Sequence, residues 1–222
     1  GDATLVLETG DTKTGLDSVY GLFVAIGTGD PYALIDLAAA SVAGLMGIPL
    51  REEKTVPAFA DGFGWCTWDA FYKDVSHAKV REGLASWRAA GIGPRFVVLD
   101  DGWQPTLPAR TGEERLTDFD ANVRMAKNEF GVERFLVWHA MQGYWGGVDL
   151  PEYRPSYRKR VASPGVLHHE PGFEGWFGGG ANLVPPREVY RFFHDYHRHL
   201  AAEGVDGVKV DNQAALELYG EG

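Results

Sequence analysis

Apolar runs and amphipathic stretches alternate along most of the chain. From residue 61 one unit recurs: a short apolar run, a polar or aromatic cluster at its C-terminal end, then apolar residues at helical spacing. The runs are Gly62–Asp69, Arg95–Leu99, Arg134–Trp138 and Val205–Asp211. Arg95–Leu99 is apolar without alternation, as expected of a strand in a parallel sheet covered by helices. A helix is predicted from Ser76, with Val80, Leu84 and Trp87 on one face and Gly91 as its stop. A second is predicted around Asn122–Glu129. A third starts at Pro186, with Val189, Phe192, Phe193, Tyr196 and Leu200 on one side and Gly204 as its cap. Four such units in succession predict a parallel α/β sheet, either open or closed into a barrel.

The first sixty residues follow another pattern. Thr4–Glu8 and Val19–Ile26 read as two strands separated by Gly and Asp turn residues, the tail of a β domain or a two-strand appendage. Asp30-Pro31 opens a helix whose mostly apolar stripe is Leu34, Leu37, Ala38, Ser41, Val42 and Leu45, and Gly47 ends it. Residues 48–60, with Pro49, a charged cluster at 51–54 and Pro57, read as a linker. Residues 143–187 break the later rhythm. They are rich in Gly and Pro, hold Trp145, His168, His169 and Trp176, and read as a long functional loop.

Composition narrows the function classes. The net charge is 21 − 31 = −10 with no basic run, which disfavours nucleic acid as a partner because phosphate contacts need clustered Lys and Arg. No uninterrupted apolar run is long enough to span a bilayer, so no membrane partner is expected. The first residues show no basic n-region and no long apolar h-region. A cytoplasmic location is therefore expected, although without an initiator Met the true N-terminus is expected upstream. One cysteine excludes an internal disulfide framework and a multi-cysteine zinc site. The 29 Gly with 7 Trp and 12 Phe suit a loop-rich protein with aromatic-walled pockets.

Candidate chemistry collects at strand ends. Asp69 follows the first run, Asp100 and Asp101 the second, and Asp211 ends the fourth. In a parallel barrel these ends form one rim, where active sites lie; in an open sheet they line the ligand crevice. The competing reading is that each Asp caps a helix. Repetition at three strand ends, with Trp nearby each time, favours a site. Lys209 and Asp211, two apart on a strand, share a face. A cation beside a carboxylate keeps it ionised, which suits a nucleophile or a charge stabiliser; the alternative is an ion pair in a barrel core. Carboxylates such as the Asp100-Asp101 pair accept hydrogen bonds from two hydroxyls at once, and Trp103 offers a flat apolar face, so together they suit a pyranose ring. A divalent metal is the competing use, with His139, His168 and His169 available, but no His-rich zinc spacing is present. His168-His169 reads as a polar loop element. Cys66 reads as a small buried residue or pocket wall. Trp65, Trp138 and Trp145 are either core or pocket wall. Gly27-Thr28-Gly29 and Gly178-Gly179-Gly180 do not sit between strand and helix as a phosphate loop requires.

Gly64-Trp65-Cys66-Thr67-Trp68-Asp69-Ala70-Phe71-Tyr72 resembles the first-strand motif of the raffinose synthase and seed-imbibition-protein group, within glycoside hydrolase family 36. Asp100-Asp101-Gly102-Trp103-Gln104 resembles its second-strand motif. Trp138-His139-Ala140-Met141-Gln142-Gly143-Tyr144-Trp145-Gly146-Gly147 is similar to its third. Gly207-Val208-Lys209-Val210-Asp211-Asn212-Gln213 is similar to its fourth-strand Lys-X-Asp motif. Leu116–Asn122 resembles a loop of the family, and Arg51–Lys54 its linker, so the resemblance covers nearly the whole chain. The resemblance implies α-galactosidases and α-galactosyltransferases, with a β-sandwich before a (β/α)8 barrel and a retaining double displacement that needs no cofactor. Carried over, Asp211 is the nucleophile, Asp100 and Asp101 bind galactose hydroxyls, and Lys209 contacts the sugar and holds Asp211 ionised. Trp68 and Asp69 line the pocket, and Trp138 and Trp145 are further substrate-binding residues. No metal ligand is implied.

Two features depart from the family. Its proton-shuttling Asp belongs to a later strand, and only residues 212–222 follow Asp211, so no carboxylate matches that role. Between Asn122 and Phe130 the chain is shorter than the family, which has a Phe-Pro-Gly-Gly-like turn there. The expected division is a β-sandwich tail over 1–29, a linker helix and loop over 30–60, and the first half of a (β/α)8 barrel over 61–222. A complete barrel takes about 250 residues. The expected activity is retaining hydrolysis of α-galactosides of the raffinose type, with an oligosaccharide as the partner. As a fragment lacking the acid/base, the chain by itself is expected to be inactive or very weak. The alternatives are galactosyl transfer to sucrose, a sugar-binding fragment without chemistry, and a metal hydrolase.

Overall fold

The structure, a computed structural model, describes residues 18, 23–106, 119–159, 180–213 and 219. Its main sheet has four parallel strands, β1 (Gly64–Cys66), β2 (Phe96–Leu99), β3 (Arg134–Ala140) and β6 (Gly207–Asp211), paired in that order. The register sets Cys66 beside Val98, Val98 beside Leu136, and Trp138 and Ala140 beside Lys209 and Asp211. Alternation then gives the sheet two distinct faces. Trp65, Val97, Leu99, Phe135 and Val137 face one way and are buried. They join Val80 and Leu84 of α3 (His77–Ala89), Val123 and Ala126 of α4 (Phe119–Phe130) and Leu200 of α5 (Pro186–Ala202) in one core. Sequential strand order with helices on one face is the arrangement of consecutive units in a (β/α)8 barrel. A doubly wound sheet would reverse its order and carry helices on both faces. The opposite face carries Cys66, Val98, Leu136, Trp138, Lys209 and Asp211.

Local signals place the helices. Ser76 Oγ accepts the Lys79 N–H at 3.3 Å and starts α3. Pro186 occupies the first turn of α5, and Gly204, at φ +87°, ends it while the Val205 N–H donates to the Leu200 carbonyl at 3.0 Å. In α1 (Pro31–Met46) the Asp30 carboxylate caps the Tyr32 N–H at 2.9 Å. The shortened segment before β3 does not loosen α4. Arg81 holds Glu129 through two bonds of 2.6 and 2.7 Å, and the Arg88 guanidinium lies 4.0 Å from the centre of the Phe130 ring.

Several expectations change. β1 ends at Cys66, and Trp68–Phe71 turn at once into a short helix, α2, so the first strand is much shorter than Gly62–Asp69. β3 runs on through His139 and Ala140. The α1 stripe is only partly covered by described residues: Leu34, Ala38 and Val42 are half-buried, but Leu37 and Leu45 are 66% and 76% exposed. The predicted strand Thr4–Glu8 lies outside the described residues, and Phe23–Ile26 are exposed without strand pairing. The segment 143–187 is not all loop. β4 (Ser156–Lys159) and β5 (Gly180–Leu183) form an antiparallel ribbon. The ribbon joins the turn after β3 through the Val148 N–H to the Asn182 carbonyl at 3.0 Å. His168, His169, Trp176 and Gly178–Gly179 lie outside the described residues.

Two polar links join the layers. The Asp206 carboxylate accepts the Phe135 N–H at 2.7 Å and pairs with Lys127 at 2.7 Å, tying β6, β3 and α4. His139, 1% exposed, meets His197 of α5 through their Nε2 atoms at 3.1 Å. Its Nδ1–H donates to the Ala140 carbonyl at 2.8 Å, so its Nε2 accepts from His197. Burial pushes both imidazoles below the usual histidine range; for His139 the neighbouring His197 adds to this and the Ala140 carbonyl partly opposes it.

Two outcomes follow. D206A leaves the Phe135 N–H without its side-chain acceptor and should lower unfolding stability by about 1–3 kcal/mol in urea titration; an unchanged midpoint would refute the link. Below about pH 6.5 the unfolded histidines bind protons that the folded pair resists, so stability is lost as pH falls through that value. Thermal melting at pH 7.5 and 5.5 should drop less in H139F than in the wild type; equal drops would show that the pair does not contribute.

Candidate active site

The C-terminal ends of β1, β2, β3 and β6 bring the polar cluster together. Asp100, 3% exposed, is bonded at both oxygens and at its N–H. Its N–H donates to Thr67 Oγ1 at 3.0 Å. Its Oδ1 accepts the Asp101 N–H at 2.9 Å. Its Oδ2 accepts from Lys209 Nζ at 2.6 Å and Cys66 Sγ at 3.1 Å. A buried carboxylate needs such partners, because desolvation disfavours its charged form. Burial pushes the Cys66 thiol up, and Asp100 adds to the effect, so the sulfur keeps its proton and acts as a donor. Burial works against the Lys209 charge, but the bond to Asp100 and the charges of Asp100 and Asp211 outweigh it and raise the ammonium above the usual lysine range.

Asp101, 1% exposed, is held at one oxygen. Oδ2 accepts the Trp145 indole N–H at 2.7 Å and pairs with Lys73 at 3.3 Å. Its Oδ1 is buried with no hydrogen-bond partner among the described residues. Lys73 is 43% exposed, and its ammonium also lies 5.8 Å from the Trp145 ring centre. Gly102, at φ +122°, lets this turn close: a Cβ there would stand 2.5 Å from the Lys73 carbonyl oxygen.

Asp211 is held on both oxygens. Oδ1 accepts the Asn212 N–H at 2.6 Å and Oδ2 the Trp138 indole N–H at 3.0 Å. The expected Lys209–Asp211 pairing is thus corrected: Lys209 reaches Asp100 instead. Residues two apart on a strand stand well separated along it, and the lysine stem crosses β3 to the end of β2. Trp138, 0% exposed, offers no ring face to a sugar, so its expected place as a substrate wall is corrected to a buried one. Trp145 is half-buried, tilted against Trp138 at 5.6 Å. Trp68 is half-buried and packs edge-on against Tyr72 at 5.3 Å. Asp69 is exposed in the first turn of α2, where a carboxylate complements the helix N-terminus, and among the described residues no hydrogen bond or ion pair joins it to the cluster. Trp103 stacks on Phe119 at 4.8 Å and donates to the Trp138 carbonyl at 2.9 Å, so it braces the site instead of serving as the expected sugar face.

Thr67, Lys73 and Asn212 belong to the cluster and stand outside the sequence-based set of site residues. Thr67 falls on a strand end next to Cys66, and alternation alone could have aimed it elsewhere. Lys73 lies in an irregular turn with no periodic signal. Asn212 directly follows Asp211 and adopts φ +61°, a conformation that Asn tolerates better than most residues. Among the described residues no three His, Cys, Asp or Glu side chains gather as a metal-ligand group. No described helix is long and apolar enough to cross a membrane.

The model of the family described as raffinose synthase or seed imbibition protein Sip1 matches residues 1–115 and 108–222. A probable galactinol–sucrose galactosyltransferase of Arabidopsis thaliana is 38% identical over all of this chain and 34% of its own length. The galactinol–sucrose galactosyltransferase of Oryza sativa subsp. japonica is 35% identical over 98% of this chain and 32% of its own. The chain thus spans about a third of the length of the curated relatives it matches. Among solved structures, an α-galactosidase of Thermus thermophilus in complex with p-nitrophenyl α-D-galactopyranoside shares the fold. Its TM-score is 0.51 at 20% identity, over 80% of this chain and 34% of that one. With its motifs at the ends of consecutive barrel strands and both halves matched by the family model, the chain belongs to the raffinose synthase and seed imbibition protein family.

Proposed function

We propose that the protein carrying this chain acts on α-galactosides with retention, through a covalent galactosyl–Asp211 intermediate. The observation that carries the reading is the meeting of Asp211 with the Asp100–Lys209 pair and Asp101 at neighbouring strand ends. A retaining scheme needs a carboxylate to attack C1 and polar groups to hold the ring hydroxyls. An Asp211 oxygen bonds to C1 as the bond from C1 to the leaving oxygen breaks. That oxygen takes its proton from a second acid, which none of the described residues is assigned to supply. An acceptor hydroxyl then attacks C1, the ester bond breaks, and the acceptor's proton returns to the same group. Each carboxylate oxygen has two lone pairs, so the N–H bonds on Asp211 leave one free on each for attack.

The remaining roles follow from the donors and acceptors left over. The unpartnered Asp101 Oδ1 can accept a sugar hydroxyl, and the partly exposed ammonium groups of Lys209 and Lys73 can donate to others. Trp145 and Trp68 present partly open indoles, and Asp69 stands at the rim. The oligosaccharide substrate, the absence of a cofactor, the division at 1–29, 30–60 and 61–222, and the cytoplasmic location belong to the same proposal.

Hydrolysis and transfer share these steps and differ in acceptor. The names of the relatives at 35–38% identity favour transfer from galactinol to sucrose. In the full-length protein, D211A should lower turnover of an activated aryl α-galactoside by more than about 1,000-fold. Added azide should restore it by attacking C1 from the face that Asp211 served, giving β-galactosyl azide; retained activity, or no azide product, would sink the nucleophile assignment. Incubation with galactinol and sucrose should yield raffinose; free galactose as the sole product would assign hydrolysis instead.

A further inference from the structure

Asp211 is gripped from two sides by donors of buried residues. The Trp138 indole N–H reaches Oδ2 at 3.0 Å and the Asn212 backbone N–H reaches Oδ1 at 2.6 Å. The terminal torsion of an aspartate is broad, so a carboxylate held at one oxygen can still swing. Donors on both oxygens fix its plane. Indole is a donor only, so this bond cannot reverse its sense.

The indole is itself fixed. Trp138 is 0% exposed, and its ring meets Tyr144 edge-on at 5.9 Å and Trp145 at 5.6 Å. Its backbone carbonyl accepts the Trp103 N–H at 2.9 Å. The Asp211 carbonyl accepts the Met141 N–H at 2.7 Å, which binds the end of β6 to the turn after β3. Asn212 adopts φ +61°, and the N–H of its peptide donates back to Oδ1. Its own amide is buried, and neither Oδ1 nor Nδ2 has a partner among the described residues. Positive φ is a conformation that Asn tolerates better than most residues.

We propose that Trp138 and the Asn212 peptide are positioning groups that hold the plane of the Asp211 carboxylate for attack on C1. The inference rests on the reading of Asp211 as the nucleophile. Trp138 is then a donor behind the nucleophile and no platform for sugar. A loss of orientation slows the chemical step while leaving ground-state binding in place.

The test uses the full-length protein and an activated aryl α-galactoside. W138F keeps an aromatic ring and removes the donor. It should lower kcat by about 10- to 100-fold and change KM by less than about 3-fold. A raised KM with unchanged kcat would make Trp138 a sugar contact and overturn the inference, as would wild-type values for both. Should W138F fail to fold, a second pair of variants decides. N212A, strained at positive φ, should lower kcat at constant KM, and N212G, which adopts that φ freely, should recover most of the loss. Equal losses in the two, or none in N212A, would refute the role of the peptide. Azide rescue of D211A separates the two levels. Rescue together with an unaffected W138F rejects the positioning inference alone, and absence of rescue rejects the nucleophile reading beneath it.

Discussion

A carboxylate 3% exposed to solvent has to be answered by its neighbours, and Asp100 ties the strand ends together through that requirement. Cys66 reaches the carboxylate from the end of β1 and Lys209 from β6 across β3, while Thr67 accepts the Asp100 backbone N–H. Breaking a buried ion pair costs about 3–5 kcal/mol, and less where one partner is partly exposed, as Lys209 is. A one-residue slip of any of these strands would send its contributing side chain to the helix-covered face. The charge therefore holds register at the end of the sheet where strands are short: β1 has three residues and β2 four.

The other end of the sheet is closed differently. Arg95 and Glu133 join the starts of β2 and β3 through two bonds of 2.8 Å, and Asp206 joins β6 to β3 and α4. These pairs are bidentate or shared between elements and leave few free polar atoms. At the C-terminal ends, Asp101 Oδ1 has no partner among the described residues, and Lys73 and Lys209 keep part of their surface in solvent. Unfilled hydrogen-bonding capacity collects at one end of the barrel strands, the end at which such folds do chemistry.

Much of this was legible in the sequence because the signals are local and periodic. The unbroken apolar run at 95–99, the Ser76 and Asp30 caps and the Val80/Leu84 spacing each depend on a few adjacent residues, and each leads to the element observed. The strand-end aspartates were legible for the same reason. Their partners were not. Lys209 is two residues from Asp211 in sequence yet bonds to Asp100, 109 positions away, because strand neighbours in space are remote in sequence. The length of β1 was misread because Trp68–Phe71 is aromatic enough for a strand, while its backbone closes a helical turn, with the Phe71 N–H on the Thr67 carbonyl at 3.0 Å. The α1 stripe has the right spacing, but periodicity states which side is apolar and not what covers it.

The seven tryptophans bear on how such a site is built. An indole offers a flat face and a single N–H, and composition cannot say which is used. Among the described residues Trp103, Trp138 and Trp145 each spend the N–H on a backbone or carboxylate oxygen around the cluster, at 2.9, 3.0 and 2.7 Å. The rings then pack against one another and against neighbouring aromatics, which excludes water from the bonds they make. In a low-dielectric setting an N–H on a carboxylate is stronger than in water, and a large rigid ring loses little conformational freedom in making it. Tryptophan thus serves as a rigid donor that brings its own apolar shield. An excess that first reads as sugar-binding surface is in large part the frame that holds the carboxylates in place.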